Sequence, residues 1–110
     1  MELLYLEGCP NHEAAAELVR RVAHATGIPV EIERVDVPDD EAAARLRFLG
    51  SPTIRVDGHD VEPGADARTQ FQHACRVYRT ASGLRGAPYE AWVRDALRKA
   101  TGIDPGGGRI

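Results

Sequence analysis

The sequence is poor in several residue types that mark particular classes of protein. Of its 110 residues, two are cysteine, one is lysine and 5% are aromatic. Two cysteines exclude a framework of several disulfides. A net charge of −3, without a cluster of lysine and arginine, argues against a nucleic-acid-binding surface. No run approaches the roughly 20 apolar residues that a membrane-spanning helix requires. We therefore expect neither nucleic acid nor a membrane as a partner.

What is present suits one small globular domain. Hydrophobic residues make up 43% of the chain and charged residues 28%, which is enough apolar material for one core. We predict a single domain over residues 1–100 and a flexible tail over residues 101–110. The first residues lack the basic and long apolar regions of a secretory signal, so we expect a cytoplasmic protein. In a reducing cytosol its two cysteines would be reactive rather than joined in a structural disulfide.

Hydrophobic periodicity and turn residues predict an alternation of strands and helices. The expected elements are strands at residues 2–6, 30–37, 53–56 and 59–62, and helices at residues 11–25, from Asp39 or Asp40 to Phe48, and from Pro88. The turn between the last two strands is Asp57-Gly58, a strong hairpin signal. Two βα units followed by a hairpin and a helix predict a mixed sheet with helices on both faces.

The stretch from residue 63 to residue 87 gives no clear pattern. Residues 66–74 are compatible with a helical turn or two, residues 76–79 with an extended segment, and residues 82–86 with a loop. The course of the chain between the hairpin and the last helix therefore stays open at this point.

Two motifs lie at connections in this order of elements. Gly-Cys-Pro-Asn-His at residues 8–12 joins the first strand to the first helix, and Gly-Ser-Pro-Thr at residues 50–53 precedes the third strand. With the element order, these motifs make residues 2–62 and 88–100 resemble the thioredoxin and glutaredoxin superfamily. The resemblance implies an α/β, thioredoxin-like three-layer fold, with a mixed four-stranded sheet (βαβ then ββα) and helices on both faces.

Cys9 is the candidate nucleophile. A free cysteine has a pKa of about 8.5, and the unpaired N–H groups at the start of a helix favour its thiolate. We expect a Cys9 of lowered pKa that is at least partly exposed, because Gly8, Pro10 and Asn11 around it are polar or turn-forming residues. The alternative is a small apolar side chain that fills space at the end of a strand.

His12 and Pro52 occupy two positions at which the resemblance implies a role. The family has a second cysteine where this chain has His12. Histidine cannot resolve a mixed disulfide, but it can stabilise a thiolate as a cation or shuttle a proton; the alternative is a polar surface residue.

Pro52 stands where the family has a cis-proline that lies beside the active cysteine and presents backbone to the substrate. The alternative is a trans proline at the entry to a strand. By the same resemblance, Pro10, Ser51, Pro52 and Thr53 are the candidate substrate-binding residues.

Cys75 is the second thiol, and the sequence leaves its position open. If the predicted hairpin forms, the chain returns toward the Cys9 end of the sheet, and Cys75 could act as a resolving thiol or a second metal ligand. If the stretch around Val77 is instead the fourth strand, Cys75 lies far from Cys9 and is buried.

A metal site is the weaker interpretation of these residues. His73 and Cys75, with Cys9 and His12, would supply two sulfur and two nitrogen ligands of the kind that zinc, copper(I) or mercury(II) accept. Their spacing matches no standard zinc pattern. We therefore predict no bound metal and no cofactor.

A closer resemblance covers most of the chain. It adds four motifs to those above: Val-Asp-Gly at residues 56–58, Cys-Arg-Val-Tyr-Arg-Thr at 75–80, Gly-Leu at 83–84 and Gly-Ala-Pro at 86–88. Together they are similar to small bacterial thioredoxin-like proteins that are sometimes labelled alkylmercury lyase. That label implies affinity of thiols for mercury. The chain is much shorter than a full lyase, and no acid that would protonate the leaving carbon can be assigned.

Three functional hypotheses follow. The first is a thiol-dependent thioredoxin-like protein with a Cys-x-x-His motif, acting by redox chemistry or thiol transfer through Cys9 on a thiol-containing protein or a small thiol. The second is a protein that binds a soft metal such as mercury(II), or handles organomercurials, with Cys9 and Cys75. The third is a non-catalytic thioredoxin-like scaffold. Whether the protein is an enzyme is not decided by the sequence.

Overall fold

The computed structural model of the protein describes residues 1–101, so the predicted tail lies, from residue 102 onward, outside the described residues. The elements in chain order are β1 (Glu2–Tyr5), α1 (Asn11–Thr26), β2 (Glu33–Asp36), α2 (Asp40–Arg45), β3 (Thr53–Val56), β4 (His59–Asp60), a short 3-10 turn (Ala65–Ala67), β5 (Tyr78–Thr80), β6 (Gly83–Arg85) and α3 (Glu90–Ala100).

Four of the strands form one mixed sheet in the order β2-β1-β3-β4. Strand β1 runs parallel to β2 and antiparallel to β3, and β4 returns antiparallel to β3. The return uses Asp57 and Gly58, whose φ angles of 53° and 82° suit the tight hairpin turn that this dipeptide favours. The predicted α/β class, the mixed sheet and the hairpin are therefore confirmed.

Helices cover both faces of this sheet because neighbouring strand residues point to opposite sides. Leu3 belongs to a core cluster that includes residues of α1, β3 and α3, among them Val19, Ile54 and Val93. Leu4 belongs to a second cluster, which includes Val37, Ala42, Ala43 and Phe48 from α2 and its flanks. Burying one such aliphatic side chain contributes roughly 1.5–3 kcal/mol, so the two clusters hold the three layers together.

The first two helices begin as their sequences indicate. Helix α1 starts directly after Pro10, whose φ of −73° already lies in the helical range. Helix α2 is capped by Asp39, whose side chain accepts a hydrogen bond of 2.8 Å from the N–H of Ala42. The cysteine motif thus lies between the end of β1 and the start of α1.

Some predicted boundaries are wrong. The second strand covers only Glu33–Asp36, α2 ends at Arg45, and α3 begins at Glu90 rather than at Pro88. The helical turn expected within residues 66–74 is reduced to the 3-10 turn. Such ends are set by long-range packing as much as by local preference.

The predicted loop at residues 82–86 contains strand β6, which pairs antiparallel with β5 in a separate two-stranded hairpin. Thr80 stabilises its turn, since the hydroxyl donates to the carbonyl of Gly83 at 2.7 Å and accepts from the N–H of Ser82 at 3.1 Å. Polar side chains at a turn gave no strand signal in the sequence, so this hairpin was missed.

Candidate functional site

Cys9 lies at the junction of β1 and α1, and only 1% of its surface is exposed. The expectation of a partly exposed thiol is therefore wrong. Its immediate neighbours Gly8 and Pro10 are exposed, as their residue types suggested. The cover comes from Cys75 and Ser51, which are remote in sequence and contact the Cys9 sulfur.

The environment of Cys9 favours its thiolate in spite of this burial. Burial raises the pKa of the thiol. Hydrogen bonds from the Ser51 side chain, the backbone N–H of Asn11 and the Cys75 side chain lower it, and their sum exceeds the effect of burial, so the net shift of the pKa is downward. When Cys9 is a neutral thiol, its S–H instead faces the carbonyl oxygen of Ser51 at 3.7 Å. The predicted direction of the Cys9 pKa agrees with this arrangement.

The loop before β3 forms the floor of the site. The Ser51–Pro52 peptide bond is cis, as expected for Pro52. The Ser51 hydroxyl accepts a hydrogen bond of 3.2 Å from the N–H of Leu6, and the Thr53 hydroxyl donates to the carbonyl of Gly50 at 2.7 Å. These contacts tie the loop to the end of β1 beside Cys9.

Three of the four candidate substrate-binding residues are inaccessible. Ser51, Pro52 and Thr53 are each less than 2% exposed, whereas Pro10 is exposed. The loop is adjacent to Cys9 as expected, but other parts of the chain cover it. A substrate therefore meets Pro10 and not the loop unless the covering segment moves.

That covering segment is residues 74–76, which we call the crossing segment. It pairs with the backbone of Ser51 on both sides. The N–H of Ser51 donates to the carbonyl of Ala74 at 2.8 Å, and the N–H of Arg76 donates to the carbonyl of Ser51 at 2.8 Å. In this parallel pairing Cys75 is the residue opposite Ser51. Because Ser51 also contacts the sulfur of Cys9, the pairing brings Cys75 beside Cys9.

The two sulfur atoms are 3.3 Å apart, with the S–H of Cys75 aimed at the sulfur of Cys9. Of the two alternatives that the sequence left open, the structure therefore has Cys75 beside Cys9. Both thiols are free, and Cys75 is exposed whereas Cys9 is buried. The hydrogen bond to Cys9, together with partial burial, raises the pKa of Cys75, so Cys9 is the first of the two thiols to ionise as the pH rises.

Gly50 makes the close approach of the crossing segment sterically feasible. Its φ of +128° lies in a region that side chains rarely adopt. A β-carbon at this position would lie 2.8 Å from the Cβ of Arg76 and 3.2 Å from the carbonyl oxygen of Ala74. Both of those atoms belong to the crossing segment, so a side chain at position 50 would displace it.

Arg76 anchors the crossing segment, and sequence reasoning missed it. Its side chain is 2% exposed and forms ion pairs with Asp60 at 2.8 Å and Glu62 at 2.7 Å. The guanidinium also donates to the hydroxyl of Thr53 at 3.0 Å and lies 4.2 Å from the ring centre of Tyr78. Charge-assisted bonds of this kind hold the chain in place directly after Cys75.

Tyr78 completes the anchor. Its buried hydroxyl donates a hydrogen bond to the carbonyl of Pro52, and burial raises its pKa well above the usual tyrosine value. Burial alternates along this stretch, with Arg76 and Tyr78 buried and Val77 and Arg79 exposed, but the residue types gave no signal of it, because the charged Arg76 is buried and the apolar Val77 is exposed. No signal in the sequence identified Asp60 and Glu62 as the partners.

His12 and His73 lie near the site without joining it. The ring of His12 stacks on Tyr5 with a centroid distance of 4.7 Å, and its Nδ1 is buried without a hydrogen-bond partner. Nε2 of His73 is instead 2.8 Å from the carbonyl oxygen of Val37. Among the hydrogen bonds of residues 1–101, none joins either imidazole to a cysteine sulfur.

The four candidate metal ligands do not converge. Within residues 1–101, no group of three or more histidine, cysteine, aspartate or glutamate side chains could hold a metal ion. What the site does offer is a pair of adjacent free thiols, one exposed and the other buried with a lowered pKa. Such a pair can form and break a disulfide.

Comparisons with known proteins add no relative to this description. A scan against family models, a search of curated proteins and a search of solved structures each find no match. In the described part of the chain, no helix has both the length and the apolar character that crossing a bilayer would take.

Proposed function

We propose that this chain is a thioredoxin-like protein that carries out thiol–disulfide chemistry through Cys9 and Cys75. The strand order β2-β1-β3-β4, with one parallel and two antiparallel pairings, supports the family assignment. So do a cysteine at the start of α1 and a cis-proline directly before β3. These features agree with the resemblance of the two sequence motifs.

The observation that carries the proposal is the 3.3 Å separation of the two sulfur atoms. A disulfide needs about 2.05 Å, so a small adjustment of the crossing segment closes it. In the overall reaction, the dithiol gives two electrons and two protons to a substrate disulfide R–S–S–R. The products are two molecules of R–SH and the Cys9–Cys75 disulfide. An external thiol reductant restores the dithiol.

The roles differ from those of a Cys-x-x-Cys pair. Here the second sulfur of the disulfide comes from Cys75, because His12 stands at the position of the second cysteine and imidazole forms no disulfide. His12 contributes its stacking on Tyr5 at the first turn of α1. Cytoplasmic thiols and disulfides remain the proposed substrates.

The test is whether the two cysteines form a reversible disulfide and whether activity needs both. Oxidised protein is digested without reductant, and the Cys9–Cys75 peptide is sought by mass spectrometry. Reduction of bis(2-hydroxyethyl) disulfide with dithiothreitol as electron donor is then compared in wild type, Cys9→Ser and Cys75→Ser. We expect the cross-linked peptide in wild type and slower turnover in both variants than in wild type. Absence of that peptide, with a wild-type rate no greater than that of dithiothreitol alone, would support a non-catalytic scaffold instead.

The same pair of sulfurs favours a second candidate function, binding of mercury(II) or another soft metal. Thiolates are the ligands that soft metals select, and Cys9 and Cys75 are close enough to share one ion. Equilibrium binding of mercury(II) to wild type and to Cys75→Ser decides this. We expect weaker binding in the variant, and equal affinities would remove Cys75 as a ligand and with it the candidate.

A further inference from the structure

The two thiols of the pair have opposite accessibility and opposite acidity. Cys9 is 1% exposed and its pKa is lowered, whereas Cys75 is exposed and its pKa is raised. A substrate that approaches the folded protein therefore meets the sulfur of Cys75 first. The sulfur of Cys9 lies behind it, at 3.3 Å.

We propose that Cys75, and not Cys9, is the sulfur that exchanges with substrate, and that the substrate is a low-molecular-weight disulfide. Cys9 then acts as the buried resolving thiolate. This inference rests on the proposed thiol–disulfide function and assigns the roles within it.

The exchange begins with a proton transfer along the hydrogen bond between the two sulfurs. Moving the proton from Cys75 to Cys9 leaves an exposed thiolate, which attacks R–S–S–R. A Cys75–S–S–R bond forms, the substrate S–S bond breaks, and R–S⁻ leaves and takes the proton from Cys9. The Cys9 thiolate next attacks the sulfur of Cys75, which forms the Cys9–Cys75 disulfide and releases a second R–S⁻; this anion takes from water the proton that Cys9 gave up when it first ionised. The substrate gains the two electrons that the protein loses.

The reverse direction uses the same geometry. In the oxidised protein an external thiolate reaches the exposed sulfur of Cys75, and Cys9 leaves. Exchange is faster when the departing thiol has a low pKa, and the surroundings of Cys9 lower its pKa. The exposure of the Cys75 sulfur and the low pKa of Cys9 as leaving thiol therefore both favour attack of the external thiolate at Cys75.

The crossing segment also limits the class of substrate. An extended polypeptide substrate could pair with the backbone of Ser51 only if the N–H and the carbonyl of Ser51 were free. Both groups are already hydrogen-bonded, to Ala74 and Arg76 respectively. The buried ion pairs of Arg76 oppose displacement of that segment. A small disulfide needs no backbone pairing and only has to reach Cys75.

Trapping the mixed disulfide tests the assignment of roles. Reduced Cys9→Ser and Cys75→Ser proteins are incubated with bis(2-hydroxyethyl) disulfide, and the adduct is followed by intact mass. Because the crossing segment is held by backbone hydrogen bonds to Ser51, serine at either position is expected to leave it over the site. We expect Cys9→Ser to accumulate an adduct on Cys75. We expect Cys75→Ser to react at least about tenfold more slowly, because Cys9 is then reached only when the cover opens.

The outcomes separate this inference from the function on which it rests. If wild type forms no Cys9–Cys75 disulfide at all, the proposed function fails. If that disulfide forms but Cys75→Ser reacts as fast as Cys9→Ser or faster, the function stands and the assignment of Cys75 is overturned.

Substrate class is tested with wild type on two disulfides. Rates for bis(2-hydroxyethyl) disulfide and for the disulfides of insulin are each divided by the rate with dithiothreitol alone, which corrects for intrinsic reactivity. We expect the small disulfide to show an enhancement at least about tenfold greater, since the polypeptide requires opening of the crossing segment. Equal or greater enhancement with insulin would overturn the restriction to small substrates.

Discussion

Cys9 and Cys75 lie side by side, yet the molecule positions them by different means. Cys9 is set by its own neighbourhood, namely the end of β1, Pro10 and the first turn of α1. Cys75 sits on an irregular segment that is held by partners far away in the chain, chiefly Ser51 and, through Arg76, Asp60. One half of the site is therefore a local structure, and the other half depends on the packing of the whole domain.

This difference extends to the chemistry. A single hydrogen bond between the two sulfurs lowers the pKa of Cys9 and raises that of Cys75. Each thiol therefore obtains part of its character from the other, and a change that moves the crossing segment alters both. Variants that weaken the contacts of the crossing segment, each paired with a control that leaves those contacts intact, test how the two thiols depend on it.

Removal of the arginine anchor has the largest expected effect. Arg76→Met leaves Asp60, whose side chain is 5% exposed, buried without its cation, and loss of one partner of a buried pair costs about 3–5 kcal/mol. Urea unfolding measures the change. Arg79→Met is the matched control, since Arg79 is an exposed arginine in the neighbouring strand β5 and its loss is expected to stay within about 0.5 kcal/mol. Equal effects of the two substitutions would contradict the anchor.

A side chain at Gly50 has the next largest effect. Gly50→Ala combines an unfavourable φ with a β-carbon that overlaps the crossing segment, and we expect a loss of about 2–3 kcal/mol. Gly58→Ala also places a side chain at a positive φ, +82°, but has no atom within 4 Å of the new β-carbon, so it should lose only about 1–2 kcal/mol. The difference between the unfolding free energies of the two variants measures the cost of the overlap between the new β-carbon and the crossing segment. A loss in Gly58→Ala as large as in Gly50→Ala would show that this overlap costs nothing.

The tyrosine hydroxyl contributes a smaller amount. Tyr78→Phe leaves the buried carbonyl of Pro52 without its donor, at a cost of about 1–2 kcal/mol. Tyr89→Phe serves as the control, because Tyr89 is half-buried and its ring contact with Trp92 survives the substitution. Thermal or urea unfolding distinguishes them, and identical stabilities would show that the Tyr78 hydroxyl contributes nothing.

The smallest effect is on the titration of the thiols. In Cys75→Ala, Cys9 loses one hydrogen-bond donor, so its pKa is expected to rise above that in wild type. In Cys9→Ala, the pKa of Cys75 is expected to fall toward the ordinary value. Ultraviolet absorbance of the thiolate against pH records both changes. A Cys75 titration that is unchanged by Cys9→Ala would show that the two sulfurs are not coupled.

The two shifts act on stability in opposite directions. The contribution of Cys9, with its lowered pKa, is present above the ordinary cysteine pKa and is lost as the pH falls through the folded-state value. The contribution of Cys75, with its raised pKa, is present below the ordinary pKa and is lost as the pH rises through the folded-state value. Comparing the pH dependence of unfolding in the two alanine variants separates these signs.

Much of the local half was predictable from the sequence. Apolar periodicity located α1 and β3, the Asp57-Gly58 pair located the hairpin, and the two motifs located Cys9 and Pro52. Each of these depends on residues close together in the chain, where turn chemistry and helix capping act.

The remote half was not predictable, for a physical reason. The burial of Cys9 and the position of Cys75 depend on a pairing between the crossing segment and Ser51. That pairing is fixed by buried charges on Arg76 and Asp60, and a charged residue in a sequence gives no indication of its partner. The strand β6 was missed because a polar turn and a single exposed leucine, Leu84, leave no apolar alternation.

The anchor of the crossing segment also provides an optical label. Trp92 is the only tryptophan in the sequence, and its ring centre lies 6.4 Å from that of Tyr78. Tryptophan fluorescence therefore comes from a side chain next to Tyr78, whose hydroxyl is bonded to Pro52 beneath the crossing segment. Emission from Trp92 reports whether Tyr78 stays in place while the thiols are oxidised, without any added dye.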